Sequence, residues 1–204
     1  MVRFIFILLT PIRRTMGGKL AESVVILLSG GIDSTACISY YQTQGLTVRG
    51  LFVDYGQAAA ASERKSASDV ARHYGIALDC MVVTSEMHFS DGEIPGRNAF
   101  LVFCALMNYP DFNGILSLGI HSGTPYYDCS KPFVLDTNRI LAGYRVGMVT
   151  LDAPFLEWSK SMIYAYCRQE EVPVGLTYSC EKCSDKPCGT CRSCLDRGAL
   201  DGTL

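Results

Sequence analysis

Residues 29–35 read Ser-Gly-Gly-Ile-Asp-Ser-Thr and follow directly on the apolar run Ser23 to Leu28. Two adjacent glycines, Gly30 and Gly31, let the backbone approach a ligand closely and take conformations barred to residues with a Cβ. A helix opening beside Asp33 turns its unsatisfied N–H groups and the positive end of its dipole to the same point, which favours phosphate. Ser29 and Ser34 add hydroxyl donors, Thr35 completes the string, and Asp33 can hold Mg²⁺ on a pyrophosphate or cap the helix. No Gly-Lys-Ser/Thr follows, so this is not a Walker loop, and the dinucleotide signature Gly-x-Gly-x-x-Gly is missing too. A plain strand-to-helix turn needs only the glycines and a capping Asp. The full string after an apolar strand marks an anion site.

A second constellation is Cys180-x7-Cys188-x2-Cys191-x2-Cys194. Four thiolates at these separations suit tetrahedral Zn²⁺, and an all-sulfur set with no open position is structural. Lys182, Lys186 and Arg192 would offset its negative charge. Cys183 is a fifth candidate that could replace Cys180, and an iron–sulfur cluster is the rival occupant. The other five cysteines are scattered, mostly beside apolar residues, which reads as a reducing cytosol and a cytoplasmic protein rather than a disulfide framework.

These groups need a scaffold. Apolar runs at Ser23–Leu28, Val48–Asp54, Ala77–Val83, Gly114–Ile120 and Gly147–Leu151 read as strands. Between them, segments from Asp33 to Gln44, Ala60 to Tyr74, Arg97 to Met107, Lys131 to Ala142 and Ser159 to Glu170 suit helices. Alternating strands and helices predict an α/β fold, a doubly wound five-stranded parallel sheet with the cysteine segment at its C-terminal end. Ligands bind such sheets at the carboxyl ends of the strands, where Ser29, Asp54-Tyr55, Gly119-Ile120 and Leu151-Asp152 all fall. The polar loop from Thr84 to Ile94 is expected to move.

At 204 residues, 49% hydrophobic and 19% charged, the chain has material for one sizeable core. Residues 1–19 are expected to be an N-terminal extension, 20–175 the α/β domain, and 176–204 the cysteine segment packed on it. The six apolar residues Phe4 to Leu9 are too few to span a bilayer, and Met16 is an alternative start. An extra edge strand is the other reading of that run. A net charge of −2 gives no support for nucleic acid as a partner.

The loop resembles that of the N-type ATP pyrophosphatases, which cleave ATP between its α and β phosphates and transfer AMP to an oxygen of their substrate. The whole chain from Val24 to Leu200 resembles the 7-cyano-7-deazaguanine synthase family within that group. Asp54-Tyr55-Gly56-Gln57 matches the family's second motif. Pro95-Gly96-Arg97-Asn98, Asp128-Cys129 and Ser159-Lys160-Ser161-Met162-Ile163 resemble later ones, and the zinc segment runs from Thr177 to Arg197.

The resemblance implies an adenine nucleotide alpha-hydrolase-like fold, ATP with Mg²⁺, structural zinc and a homodimer. The substrates it implies are 7-carboxy-7-deazaguanine and ammonia, taken through an amide to the nitrile. Asp33, Ser34, Arg97 and Lys160 become candidate catalytic groups, with Asp54, Tyr55 and Gln57 at the nucleotide; Phe100, Tyr126 and Tyr127 are candidates to stack on a flat ring, with the core as the other reading of Phe100. Three departures fall on the rim: Ala58-Ala59 stands where the family has Arg-His, the stretch from Gly119 to Tyr127 is short, and the segment before Pro95 is compact. These leave open a paralogue that passes the activated carboxylate to another amine, such as a partner protein in antiviral defence. His121 is a candidate base. A tRNA-modifying pyrophosphatase and a binding module without turnover are the readings from other classes.

Overall fold

The computed structural model describes residues 15–16, 19–20, 22–83, 89, 93–121, 123, 125–144, 148–182 and 186–201, with side chains over 22–198. The apolar run at 4–9, Cys183 and most of the loop from Thr84 to Ile94 lie outside the described residues. Strands β1 (Thr15–Met16) and β2 (Lys19–Leu20) form a short antiparallel ladder. The sequence reading had no element there.

The main sheet has five parallel strands in the order β5-β4-β3-β6-β7, namely Ala77–Val82, Thr47–Asp54, Ser23–Leu27, Gly114–Ser117 and Val149–Asp152. The chain runs outward from central β3 through β4 to β5, then crosses back to β6 and β7. That reversal sets a crevice between β3 and β6 at their carboxyl ends, the place where doubly wound sheets bind ligands.

Alternation along β3 builds the layers. Val24, Ile26 and Leu28 pack on one face with α1 (Ile32–Gln42), α2 (Ala60–Tyr74) and α5 (Lys160–Gln169). Val25 and Leu27 face the other side with α3 (Arg97–Asn108) and α4 (Lys131–Tyr144). Both faces are covered, so β3 is apolar throughout, and each buried side chain of this size is worth about 1.5–3 kcal/mol. The α2 helix stops at Gly75, whose φ of +65° is the left-handed conformation that closes many helices.

The predicted strands and helices are all present, with ends moved by a few residues. The largest shift is at β6, which ends at Ser117 rather than Ile120; two residues on, Gly119 lies against the start of α1. A sixth helix, α6 (Arg192–Asp201), had no counterpart in the sequence reading. Among the described residues, no helix is long and apolar enough to cross a membrane.

Candidate active site

A cleft of about 620 Å³ opens at the carboxyl ends of β3, β4 and β6, within the range of small-molecule sites. Its floor is the glycine loop. Gly30 has φ +78°, and a Cβ there would come within 2.7 Å of the Ala67 nitrogen and the Glu63 carbonyl of α2. The Gly30 carbonyl accepts from Ser66 Oγ (2.8 Å) and from the Tyr178 N–H (3.0 Å), and Ser66 Oγ also reaches the Leu176 carbonyl (2.7 Å). The loop is therefore clamped between α2 and the C-terminal segment. Ser29 Oγ and Ser34 Oγ lie 3.2 Å apart across it. Gly119 seats the end of the β6 strand against the loop, since a Cβ there would be 2.5 Å from the Ser34 nitrogen.

Asp33 does not cap α1; Gly31 takes the cap position, with no side-chain bond to the helix. Instead Asp33 Oδ2 accepts from Lys160 Nζ at 2.5 Å, and His121 Nε2 lies 4.0 Å from the same oxygen. Lys160 is aimed by the start of α5, where Ser159 Oγ accepts from the Met162 N–H. Asp33 Oδ1 is buried and has no hydrogen-bond partner among the described residues. A polar atom left so costs about 1–3 kcal/mol, more when charged, and a hard divalent cation is the partner a carboxylate oxygen takes. Burial pushes the His121 imidazole below its ordinary value; Asp33 and Asp196 pull it up, Lys160 and Arg192 down.

Across the cleft, the turn after β4 is tied to itself. Asp54 Oδ1 accepts from the Gly56 N–H (3.1 Å), while Gln57 accepts from the Tyr55 N–H (2.9 Å) and donates to Val53 (3.2 Å) and to Glu63 (2.9 Å). Burial raises the Glu63 carboxyl above its ordinary value, with Gln57 and Arg97 partly offsetting it. Burial likewise raises the Tyr55 phenol, against the pull of Arg97. Arg97 stands at the start of α3 after Gly96. Its neighbour Asn98 is buried at the edge of the cleft, its N–H donating to Asp128 Oδ2 (3.1 Å) and its Nδ2 to the Asp128 carbonyl (2.9 Å). The Arg97-Asn98 and Asp128-Cys129 strings are thus one clamp that holds Arg97 over the cleft.

The sulfurs of Cys180, Cys188, Cys191 and Cys194 lie within 4.8 Å of one another. Four ligands at about 2.3 Å around one tetrahedral ion would sit about 3.8 Å apart. The Thr190 and Cys191 N–H groups donate to Cys188 Sγ (3.4 and 3.3 Å), and the Cys188 N–H donates to Cys180 Sγ (3.3 Å). Chiefly through the Thr190 hydroxyl, the Cys188 thiol is drawn down to about 6, while burial pushes Cys194 up to about 12. The donor set fits a metal ion.

Of the residues singled out from sequence, Ser29, Gly31, Asp33, Ser34, Tyr55, Gln57, Arg97 and Lys160 line the one cleft, as do His121 and Tyr126. Gly30 and Thr35 shape the loop from behind, Asp54 folds back on its own turn, and Phe100 and Tyr127 are exposed outside the cleft. Sequence reasoning missed Glu63, and it missed that the cysteine segment supplies a wall through Glu181, Arg192, Asp196 and Arg197. Arg192 donates to the Gly123 carbonyl (2.9 Å), and Arg197 to the Thr177 and Val174 carbonyls (3.0 and 2.9 Å). Polar residues between and just after the clustered cysteines were the available signal.

Residues 23–93 and 82–200 match the family described as queuosine biosynthesis protein QueC. The 7-cyano-7-deazaguanine synthase of Synechococcus sp. (strain RCC307) is 34% identical over 88% of this chain and 94% of its own length. That of Prochlorococcus marinus (strain NATL1A) is 32% identical over 86% and 91%. Among solved structures, the U34-tRNA thiolase NcsA from Methanococcus maripaludis with its 4Fe-4S cluster superimposes with a TM-score of 0.54 at 16% identity. It covers 95% of this chain and 70% of the thiolase, a likeness of fold alone. With both the phosphate loop and the cysteine cluster inside the matched span, the chain belongs to the QueC family of queuosine biosynthesis proteins.

Proposed function

We propose that this chain is an ATP-dependent synthase that adenylates 7-carboxy-7-deazaguanine and replaces AMP with ammonia nitrogen. The amide formed is adenylated in turn and loses AMP to give 7-cyano-7-deazaguanine, the product carried in the relatives' names. The observation that carries the reading is the Asp33 carboxylate at the mouth of the glycine loop, with Lys160 on one oxygen and the other oxygen buried without a partner among the described residues.

In the first step a carboxylate oxygen attacks the α phosphorus, and the bond to the bridging oxygen breaks with its electron pair on pyrophosphate. Ammonia then adds to the acyl carbon, AMP departs, and the nitrogen loses a proton. In the second activation the amide oxygen attacks another ATP, and loss of AMP with the remaining nitrogen protons leaves the nitrile. Ser29, Ser34 and the first-turn amides of α1 bind the phosphates, while Lys160 answers the charge that builds on the leaving group. Arg97 orients the anionic substrate, and Tyr55 with Gln57 borders the base. Asp33 Oδ1 is the atom that would hold Mg²⁺, which neutralises phosphate charge when bound. Zinc on Cys180, Cys188, Cys191 and Cys194 is structural, pinning the wall that carries Arg192 and Arg197. A homodimer in the cytoplasm completes the reading.

A second reading keeps the adenylation and changes the acceptor to another amine, such as one on a partner protein in antiviral defence. What favours it is the turn after Gln57, where Ala58 is exposed and Ala59 fully buried, so neither offers the cleft a polar group. Pyrophosphate release that depends on 7-carboxy-7-deazaguanine, with Asp33→Ala as control, tests both readings together. Release independent of the carboxylate would contradict both.

A further inference from the structure

His121 occupies the only histidine position in the cleft among the described residues, and its ring orientation is set by its own loop. The Gly123 N–H donates to His121 Nδ1 at 3.0 Å. A nitrogen that accepts a hydrogen bond carries no proton, so the neutral ring must bear its proton on Nε2. The ring lies against Gly123 so closely that a Cβ there would be 2.7 Å from it, and the Gly123 carbonyl is held in turn by Arg192. Ring, glycine and arginine therefore fix one tautomer. Nε2 faces the space shared by Asp33 Oδ2, at 4.0 Å, and Lys160.

Resting on the adenylation reading above, we propose that His121 serves as a fixed Nε2–H donor to the departing pyrophosphate, and not as a base. The chemistry agrees. The attacking carboxylate is already ionised, so the first step moves no proton. It breaks the bond from the α phosphorus to the bridging oxygen and leaves negative charge on pyrophosphate. A donor that is in place before reaction and needs no proton transfer is what that charge requires. A base would need Nε2 bare and a proton on Nδ1, which would set two N–H groups against each other at Gly123. Burial, which pushes the imidazole down, keeps the ring neutral in the same sense.

Two substitutions separate the nitrogens. In His121→Gln the amide NH₂ reaches to the place of Nε2 and preserves the donor. In His121→Asn the shorter side chain can still accept from Gly123 but leaves Nε2 empty. Magnesium pyrophosphate, titrated calorimetrically into the full chain, is the first probe, because it needs no carboxylate substrate. His121→Gln should bind within about threefold of wild type and His121→Asn about tenfold or more weakly, the value of one hydrogen bond to a charged group. Carboxylate-dependent ATP–pyrophosphate exchange is the second probe, where kcat should fall about 10²-fold for Asn with little change in KM, and recover with Gln. Equal behaviour of the two variants, whether both like wild type or both impaired, overturns the donor assignment. Wild-type chain that binds pyrophosphate but shows no carboxylate-dependent exchange overturns the substrate reading instead, and the binding comparison still decides His121.

Discussion

Lys160 Nζ rests 2.5 Å from Asp33 Oδ2, joining the starts of two helices 127 residues apart in sequence. Both side chains are partly buried, 28% and 18% exposed. The pair concentrates one positive and one negative group at the end of the glycine loop, where a triphosphate's leaving portion would lie under the proposed function. Lys160→Met should lower kcat for pyrophosphate release by about 10²–10³-fold with an unchanged circular dichroism spectrum. A loss below tenfold would reduce the pair to an ordinary ion pair.

Ser66 is a remote support of the same loop. Its hydroxyl bridges the Gly30 and Leu176 carbonyls inside the protein. Ser66→Ala removes that shared donor from the Leu176 carbonyl, while the Gly30 carbonyl keeps the Tyr178 N–H, which costs about 1–2 kcal/mol, or about 2–8 °C in Tm for a chain of this size. KM for ATP should rise in the same variant, because Gly30 is held by the Tyr178 N–H alone. A calorimetric scan and a steady-state ATP titration check the two parts separately.

Much of this was legible beforehand, for identifiable reasons. The apolar run of β3 and the spacing of Ser29 to Thr35 are local, so they placed both sheet and loop. The Cys188, Cys191 and Cys194 spacing is equally local. The Asn98–Asp128 clamp and the Lys160–Asp33 pair join residues 30 and 127 positions apart, and single-sequence reasoning sees only their types. The capping alternative for Asp33 failed because Gly31 reaches extended geometry at the helix start by itself. Reading the cysteine segment as a pin hid its second part, since side chains such as Glu181 and Arg192 acquire meaning only when metal ligands fold them over the cleft. Helix α6 was hidden likewise: its sequence is polar and carries no apolar stripe.

Zinc removal should therefore act on catalysis as well as on stability. Chelation, or Cys191→Ser, frees the segment that places Arg192 and Arg197. Elemental analysis of the purified chain should give one zinc and no stoichiometric iron, and its loss should lower Tm and abolish pyrophosphate release together. Full activity in metal-free chain would contradict the assignment.

Glu63 makes a pH-dependent contribution whose sign follows from its burial. Burial leads in raising its carboxyl above the ordinary 4.5, against Gln57 and Arg97. A raised acid favours its protonated form in the folded chain, so its contribution is fully present below 4.5 and lost as pH rises through the folded value. Glu63→Gln stays neutral throughout. The Tm of wild type relative to this variant should fall as pH goes from about 4 to about 7; a difference that grows with pH would reverse the sign.

The central claim is that the cleft activates a deazaguanine carboxylate as its adenylate and completes the conversion to nitrile. Mass spectrometry of a mixture of wild-type chain, ATP, Mg²⁺, ammonia and 7-carboxy-7-deazaguanine tests it most directly. The account predicts AMP, pyrophosphate and 7-cyano-7-deazaguanine, with two AMP formed per nitrile. Unchanged carboxylate, with no AMP formed, would contradict it.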